Sequence, residues 1–269
     1  MLFRSGYTMT IVFLKARNFF EDTLLYLGGV LTLFLQFHYD LFKGKFYFRL
    51  FLDQIYLIGV KSFPLIMITA GSTGMVMALQ FGAGLEKYGG KLYVPKLVAV
   101  IILREMGPVF TSLMLAARVG AGITSEIGSM VVTQQIDAIR ALGTSPIKRI
   151  VIPRVLATLV VLPILVSFAN IVGNFGGLLI GASQLQLDPS FYYLKVITSS
   201  SLTDYLSGFG KTFFFAFIIA LTACYFGLNV KNGTKEVGIA TTKSVVVASI
   251  LILISDFFLS KLFWIIEKT

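Results

Sequence analysis

The sequence predicts an all-α integral membrane protein: five transmembrane helices, an N-terminal interfacial helix and one polar helix on the cytoplasmic side. Three observations carry this expectation. Of 269 residues, 56% are hydrophobic and only 13% charged, with a mean hydropathy of +0.85, whereas soluble domains carry about 25% charged residues. Several apolar runs reach the roughly 20 residues that hydrocarbon requires. None is a short segment of alternating polarity, as a barrel strand would be.

The elements follow in chain order. Arg4, Lys15 and Arg17 precede Glu21 and Asp22 without a small-residue cleavage site, so no cleaved signal is read there. Residues 23–37 (TLLYLGGVLTLFLQF) form an apolar run that is short for a span and flanked by charge, which predicts a helix lying on the membrane. A basic connector with Lys43, Lys45 and Arg49 follows. Spans are expected at about 62–81, 97–122, 150–182, 213–230 and 244–266. The segments FGAGLEKYGGKLYVP and SQLQLDPSFYYLK read as connections on the outer side. No tandem repeat or low-complexity linker divides the chain. Residues 1–269 read as one domain, with an interfacial region at 15–40, a transmembrane core at 62–266 and a polar segment at 124–146.

Lysine and arginine set the orientation. The amino-terminal region and the connections after the second and fourth spans carry fourteen; the opposite side carries six. That asymmetry predicts a cytoplasmic amino terminus. The net charge of +10 then reads as attraction to lipid headgroups, and not as a nucleic-acid footprint. Cys224 is the single cysteine and His38 the single histidine, so neither an internal disulfide nor a metal site is expected.

Residues 126–146, EIGSMVVTQQIDAIRALGTSP, are too polar to cross a bilayer. On a helical wheel Glu126, Ser129, Thr133, Asp137 and Arg140 share one stripe. Gly128, Val131, Val132, Ala138, Ile139 and Leu142 lie opposite, interrupted by Gln135. Gly143 and Pro146 supply stop signals. Such a helix rests on headgroups or docks into a protein groove. The scarcity of basic residues on its polar stripe favours the groove.

The run LREMGPVFTSLMLAARVGAGITSEIGSMVVTQQIDAIRALGTSPIKRIVIPRVLA resembles the signature region of the MlaE/YrbE permease family, the membrane subunits of ABC transporters that work with MCE-domain proteins and move lipids. The similarity runs from AGSTGMVMALQ in the first span to TTKSVVVASILILISDFFLS in the last. It is carried by L-R-E-x-G-P, A-R-x-G-(A/S), E-I-G-x-M and D-x-(I/L)-x-A-L-G-T-x-P, in that order. The resemblance implies a homodimeric permease for phospholipids or related lipids. It also implies a separate ABC ATPase that carries ATP and magnesium, and an MCE-domain partner; no cofactor is expected in this chain. It implies that Glu126, Ser129, Thr133, Asp137 and Arg140 belong to a coupling helix against the ATPase. Likeness to cyanobacterial and algal plastid members implies a plastid envelope membrane, or else a bacterial plasma membrane.

Ionisable residues inside spans are costly and mark packing or function. Arg104 and Glu105 fall in the second span, and Lys211 opens the expected fourth. They form a structural ion pair at the outer boundary, or they edge a cavity where Arg104 or Lys211 meets a lipid phosphate. Asp256 is expected as a buried packing partner and Arg118 as a snorkelling residue. Met75, Leu79 and Gln80 read as packing residues on composition; the resemblance makes them candidates for a pocket wall. The stripes Ala169/Gly173/Gly177/Gly181 and Ala116/Gly120/Thr124/Gly128 are expected to pack helices within the chain.

Two motifs fail. GFGKT lacks the glycine a phosphate loop needs at 205, where Tyr205 stands. The sequon at Asn232 falls on the expected cytoplasmic side. The alternatives are a secondary transporter or channel for an amphipathic solute, and an intramembrane lipid-modifying enzyme. The first calls for charges across the midplane and matching half-repeats; the second calls for a catalytic constellation.

Overall fold

The computed structural model describes the backbone of residues 3–42, 47–231 and 233–268, with side chains at 21, 23–42 and throughout the later two ranges. Lys43, Lys45, Asn232 and the side chains of Arg4, Lys15 and Arg17 lie outside the described residues. Among these residues the chain is helical without strands, and six helices are long and apolar enough to cross a membrane. The chain divides into two units, 1–45 and 46–269.

The first unit is one helix, α1 (Phe3–Phe42). Its segment Thr23–Phe42 has the length and composition of a span, although no window in the other five helices is less apolar. The expected interfacial run of 15 residues is thus extended by a further turn. Thr32 and His38 bond back to carbonyls four residues earlier, at 2.8 and 2.9 Å, which lets two polar side chains ride on an apolar helix.

The second unit holds α2 (Phe48–Glu86), α3 (Lys91–Val132), α4 (Gln135–Ala141), α5 (Ile147–Ser183), α6 (Pro189–Ser199), α7 (Leu202–Leu228) and α8 (Thr234–Lys268). The five expected spans are all present, and each helix is longer than hydropathy suggests, α5 by the least. Helix α2 begins in the expected basic connector and is interrupted by a turn at Lys61 and Ser62. Helix α3 absorbs the end of the preceding glycine-rich loop and continues through Glu126 to Val132. Helix α7 starts eleven residues early. There Asp204 N donates to Ser201 Oγ and Ser201 N to Asp204 Oδ2, both at 3.0 Å, a reciprocal cap that satisfies the first-turn amides. Lys211 therefore lies inside its helix and does not open it.

The segment expected to lead away from the third span folds back as α6. Asp188 caps it by accepting from Phe191 N at 2.8 Å, and Pro189 fills the first position, where no amide is needed. Tyr192 then inserts between α6 and α5, fully buried, over Gly177 and Gly181; a Cβ at either glycine would lie 2.6 or 2.5 Å from its ring or hydroxyl.

Helices α2 and α5 meet along glycines. A Cβ on Gly74 would sit 1.8 Å from the Gly173 carbonyl oxygen, and one on Gly176 would sit 2.3 Å from that of Gly71. The second stripe packs on α7: Thr124 Oγ1 donates to Ala223 O at 3.1 Å, and a Cβ on Gly227 would meet Ile127 at 2.8 Å. Both small-residue stripes thus serve intrachain packing, as expected.

Candidate functional site

Helix α3 contains two π-helical turns, Ile102–Met106 and Ala116–Gly120. Such a turn inserts one residue and redirects the side chains around it. The first carries Arg104 and Glu105 into a network with α7 and α8. Lys211, fully buried, donates to Glu105 Oε2 (2.8 Å), Asp256 Oδ1 (2.9 Å), Ser260 Oγ (2.6 Å) and the Arg104 carbonyl (3.1 Å). Arg104 Nε donates to Asp204, and its Nη2 holds both oxygens of Glu267 at 2.8 and 2.9 Å. A buried ammonium is tolerable only when paired and hydrogen-bonded, which these partners provide.

The sequence-predicted trio Arg104, Glu105 and Lys211 is thus brought together, and Asp256 joins it. Asp204, Ser260 and Glu267 belong to the same network and went unrecognised. Asp204 was hidden because its helix was started too late, and Glu267 because it lies beyond the last expected span. Helix packing at Gly208 permits the approach: a Cβ there would lie 2.0 Å from the Leu103 carbonyl.

Beside this network lies a cavity of about 700 Å³ between α5, α6 and the first turns of α7, with Leu103 of α3 at one side. Its wall is mainly apolar, with Ser167, Asn170, Asn174, Tyr192, Ser201 and Tyr205 supplying polar atoms. Ser167 Oγ and Tyr205 Oη lie 2.8 Å apart, hydrogen-bonded across the α5–α7 wall. Rim residues Ile171, Phe175, Ile197 and Leu202 are exposed, so the cavity opens to the surroundings of the helices. A mainly apolar concavity of this size with a few polar groups is what amphipathic ligands occupy. The sequence held a signal for it: Ser167, Asn170 and Asn174 follow helical spacing in an otherwise apolar run. Met75, Leu79 and Gln80 are not among the lining residues; Met75 is half-buried on α2, and Leu79 and Gln80 are exposed.

The other end of α3 is built differently. The single amphipathic helix expected over 126–142 is broken after Val132, where Gln134 takes a left-handed φ of 59°, and α4 resumes at Gln135. Glu126, Ser129, Thr133, Asp137 and Arg140 are all exposed. Glu126 pairs at 2.8 Å with Arg154, a buried residue at the start of α5, so its carboxylate also anchors the turn. Asp137 and Arg140 pair with each other at 3.1 Å in solvent, and among the described residues with no other charge. A groove of about 180 Å³ lies behind, lined by Leu50, Gln54, Met130, Arg149 and Arg154 among others. Arg118 is half-buried and donates to Ser62 at the α2 turn, where snorkelling was expected. That bond caps a break in α2, which explains why the charge stays inside.

Among the described residues, helices long and apolar enough to cross a membrane, a mainly apolar cavity and an exposed polar elbow define a helical membrane protein. Residues 51–262 match the family model described as Permease MlaE. The chain belongs to the MlaE permease family. It is 38% identical over 225 residues to a probable ABC transporter permease protein of Rickettsia bellii, covering 84% of this chain and 87% of the relative. It is 33% identical over 215 residues to the intermembrane phospholipid transport system permease protein MlaE of Haemophilus influenzae, covering 80% and 82%. It is 34% identical over 209 residues to the probable ABC transporter permease protein ycf63 of Pyropia yezoensis, covering 77% and 79%. The chain is accordingly an integral membrane permease of the ABC type, the transport component and not the ATPase.

Proposed function

We propose that this permease moves phospholipids or related lipids through the cavity between α5, α6 and α7, driven by a separate ATPase that docks on residues 124–146. The observation that carries this reading is the continuity of α3. One helix joins the turn beside the cavity to the polar elbow, and 22 residues at 1.5 Å each separate Arg104 from Glu126 by about 33 Å. A push at the elbow is transmitted to the cavity wall without any flexible linker between them.

In this reading Ser129, Thr133, Asp137 and Arg140 form the contact face, and Glu126 holds that face to the bundle through Arg154. Arg104, Glu105 and Lys211 tie α3, α7 and α8 together at the far end, so movement of α3 reshapes the cavity. Met75, half-buried on α2, and Leu79 and Gln80, exposed there, are candidates for a wall that lipid touches, and the permease works as a homodimer. The partners are an MCE-domain protein on the outer side and the ATPase, which holds ATP and magnesium. The membrane is a bacterial plasma membrane or a plastid envelope. A relative named for intermembrane phospholipid transport supports the cargo class.

The test is to co-express the permease with its ATPase and to measure assembly and lipid-stimulated ATP turnover for Asp137→Lys. Loss of turnover supports the coupling face. Full assembly with normal turnover removes it.

A further inference from the structure

We propose that the groove behind the elbow, bounded by α2, α3, α4 and the start of α5, binds a phosphate-bearing anion that takes Arg154 over from Glu126. The binding itself is independent of the cavity between α5, α6 and α7. Only its consequence for the elbow rests on the reading of residues 124–146 as a docking face.

The groove is a built site. Leu50 and Gln54 on α2, and Glu126 and Met130 on α3, each lie four residues apart and so share a helical face, and Ile139 closes the groove from α4. Its ionisable lining is two guanidinium groups, Arg149 and Arg154, against one carboxylate, Glu126. Arg149 is exposed and, among the described residues, pairs with no carboxylate. Arg154 is only 5% exposed, and its hydrogen bonding is incomplete. Nη1 donates to the Ile150 carbonyl at 3.0 Å, Nη2 meets Glu126 Oε1 at 2.8 Å, and Nε has no partner. Nε and Nη2 form one edge of the guanidinium, the edge that grips two oxygens of an oxyanion in parallel. Glu126 occupies half of that edge.

The exchange is cheap on one side and favourable on the other. The Glu126 side chain is 55% exposed, so water screens its pair and can replace it. An unmet buried donor is costly, and a phosphate offers two oxygens to the open edge of Arg154 and a further one to Arg149. The place of the groove names the source of that phosphate. At the start of α2 the exposed Phe48 and Leu52 stand beside the exposed Arg49 and Asp53, the mixed surface of a helix end at the membrane interface. A volume of about 180 Å³ accepts a headgroup and leaves the acyl chains in the leaflet. An anionic phospholipid headgroup and inorganic phosphate present the same oxygens; a choline headgroup adds a cation that Arg149 repels. Once Arg154 is held by phosphate, Glu126 is released, and the elbow loses its tie to the start of α5. The anion content of the cytoplasmic leaflet then sets how freely the elbow moves.

The experiment uses the full-length permease in detergent micelles mixed with phosphatidylglycerol or phosphatidylcholine, and reads retained lipid by native mass spectrometry together with the melting temperature. Arg149→Gln is expected to lower phosphatidylglycerol retention about fivefold, the weight of one basic residue against an anionic headgroup, and to leave phosphatidylcholine retention unchanged. Arg149 is exposed, so this variant folds like the parent. Glu126→Gln is expected to raise phosphatidylglycerol retention, because the competing carboxylate is gone. Inorganic phosphate added without lipid separates the two sources. A rise in melting temperature that Arg149→Gln abolishes identifies free phosphate, and a rise with phosphatidylglycerol alone identifies the headgroup; either supports the proposal. Retention and melting that ignore Arg149→Gln would overturn it. So would a loss of retention in Glu126→Gln equal to that in Arg149→Gln, since the carboxylate would then belong to the site and not compete for it. Retention that follows the expected pattern, with ATPase association equal in the two lipids, would leave the site standing and overturn its effect on the elbow.

Discussion

The two ends of α3 hold charge in opposite ways. Near its start, Lys211 is sealed in by four oxygen acceptors on α3 and α8, one of them the Arg104 carbonyl, and Arg104 is shared by two carboxylates. Just beyond its end, on α4, Asp137 and Arg140 pair with each other at 3.1 Å in solvent. Charges that must stay in hydrocarbon are paired until nothing is left to offer. Charges left available at a surface contribute little to the fold and are open to a partner. Helix α3 is thus fixed to the bundle near its start and leads, past the break at Gln134, into α4, whose charges are available to be gripped.

The contrast is broken most severely at Lys211. Lys211→Met leaves Glu105 and Asp256 facing one another without their shared cation, and removal of one partner from a buried ion cluster costs about 3–5 kcal/mol. Purified protein is expected to fall sharply in yield and in melting temperature. Adding Asp256→Asn to Lys211→Met should recover part of the loss, because one of the orphaned charges is then removed. A double variant no more stable than the single would contradict the shared-cation geometry. The next largest effect is at the α2–α5 crossing. Gly74→Ala drives a methyl into the Gly173 carbonyl, and overpacking of this kind costs about 1–3 kcal/mol. Gly84→Ala, on the same helix with open space around it, is the matched control and should melt like the parent.

How much of this was readable in the residues follows from which signals are local. Spans showed themselves by apolar length, and the packing face of α5 by the four-residue spacing of Ala169, Gly173, Gly177 and Gly181; its partners Gly71 and Gly74 on α2 emerge only from the fold. The start of α7 was readable too, because Ser201-x-x-Asp204 is a capping signature; hydropathy hid it, since the first turns of that helix are polar. Its misplacement put Lys211 at a boundary and led to an expected role at the mouth of a cavity. The closing of the network on Glu267, 163 residues after Arg104, depends on tertiary packing that no local pattern encodes. The break at Gln134 was equally silent, since Thr133 and Gln134 fit the wheel of a continuous helix and only the left-handed φ marks the elbow. The polar stripe survives that break because its members lie on both sides of it and all remain exposed.

Glu126 stands between the two regimes, exposed but paired with the buried Arg154. Arg154 Nη1 also donates to the Ile150 carbonyl at 3.0 Å, while its Nε has no partner, so the residue depends on Glu126 for much of its compensation. Glu126→Gln keeps a hydrogen-bond acceptor and removes the charge; because the carboxylate is more than half exposed, the expected cost is below about 1 kcal/mol. Differential melting across a salt series checks it: the gap between parent and variant should narrow as salt rises. A gap that is constant in salt would mean that the pair acts through shape and not through charge.

The smallest effect on the fold is expected from Asp137→Asn. The Asp137–Arg140 pair is exposed on both sides, at 69% and 64% of the side-chain surface, and its removal should change stability by no more than about 0.5 kcal/mol. That near-silence is what makes the substitution informative. If α4 is a contact face, the loss appears in ATPase association and in lipid-stimulated turnover while the melting curve stays put. A shift in melting without a change in association would reverse the assignment and make the elbow a structural joint. Arg140→Lys separates charge from geometry at the same place. It keeps the positive charge but loses the planar fork that can hold a carboxylate with two bonds, so a partner that recognises the guanidinium will register the change. A partner that responds only to potential will not.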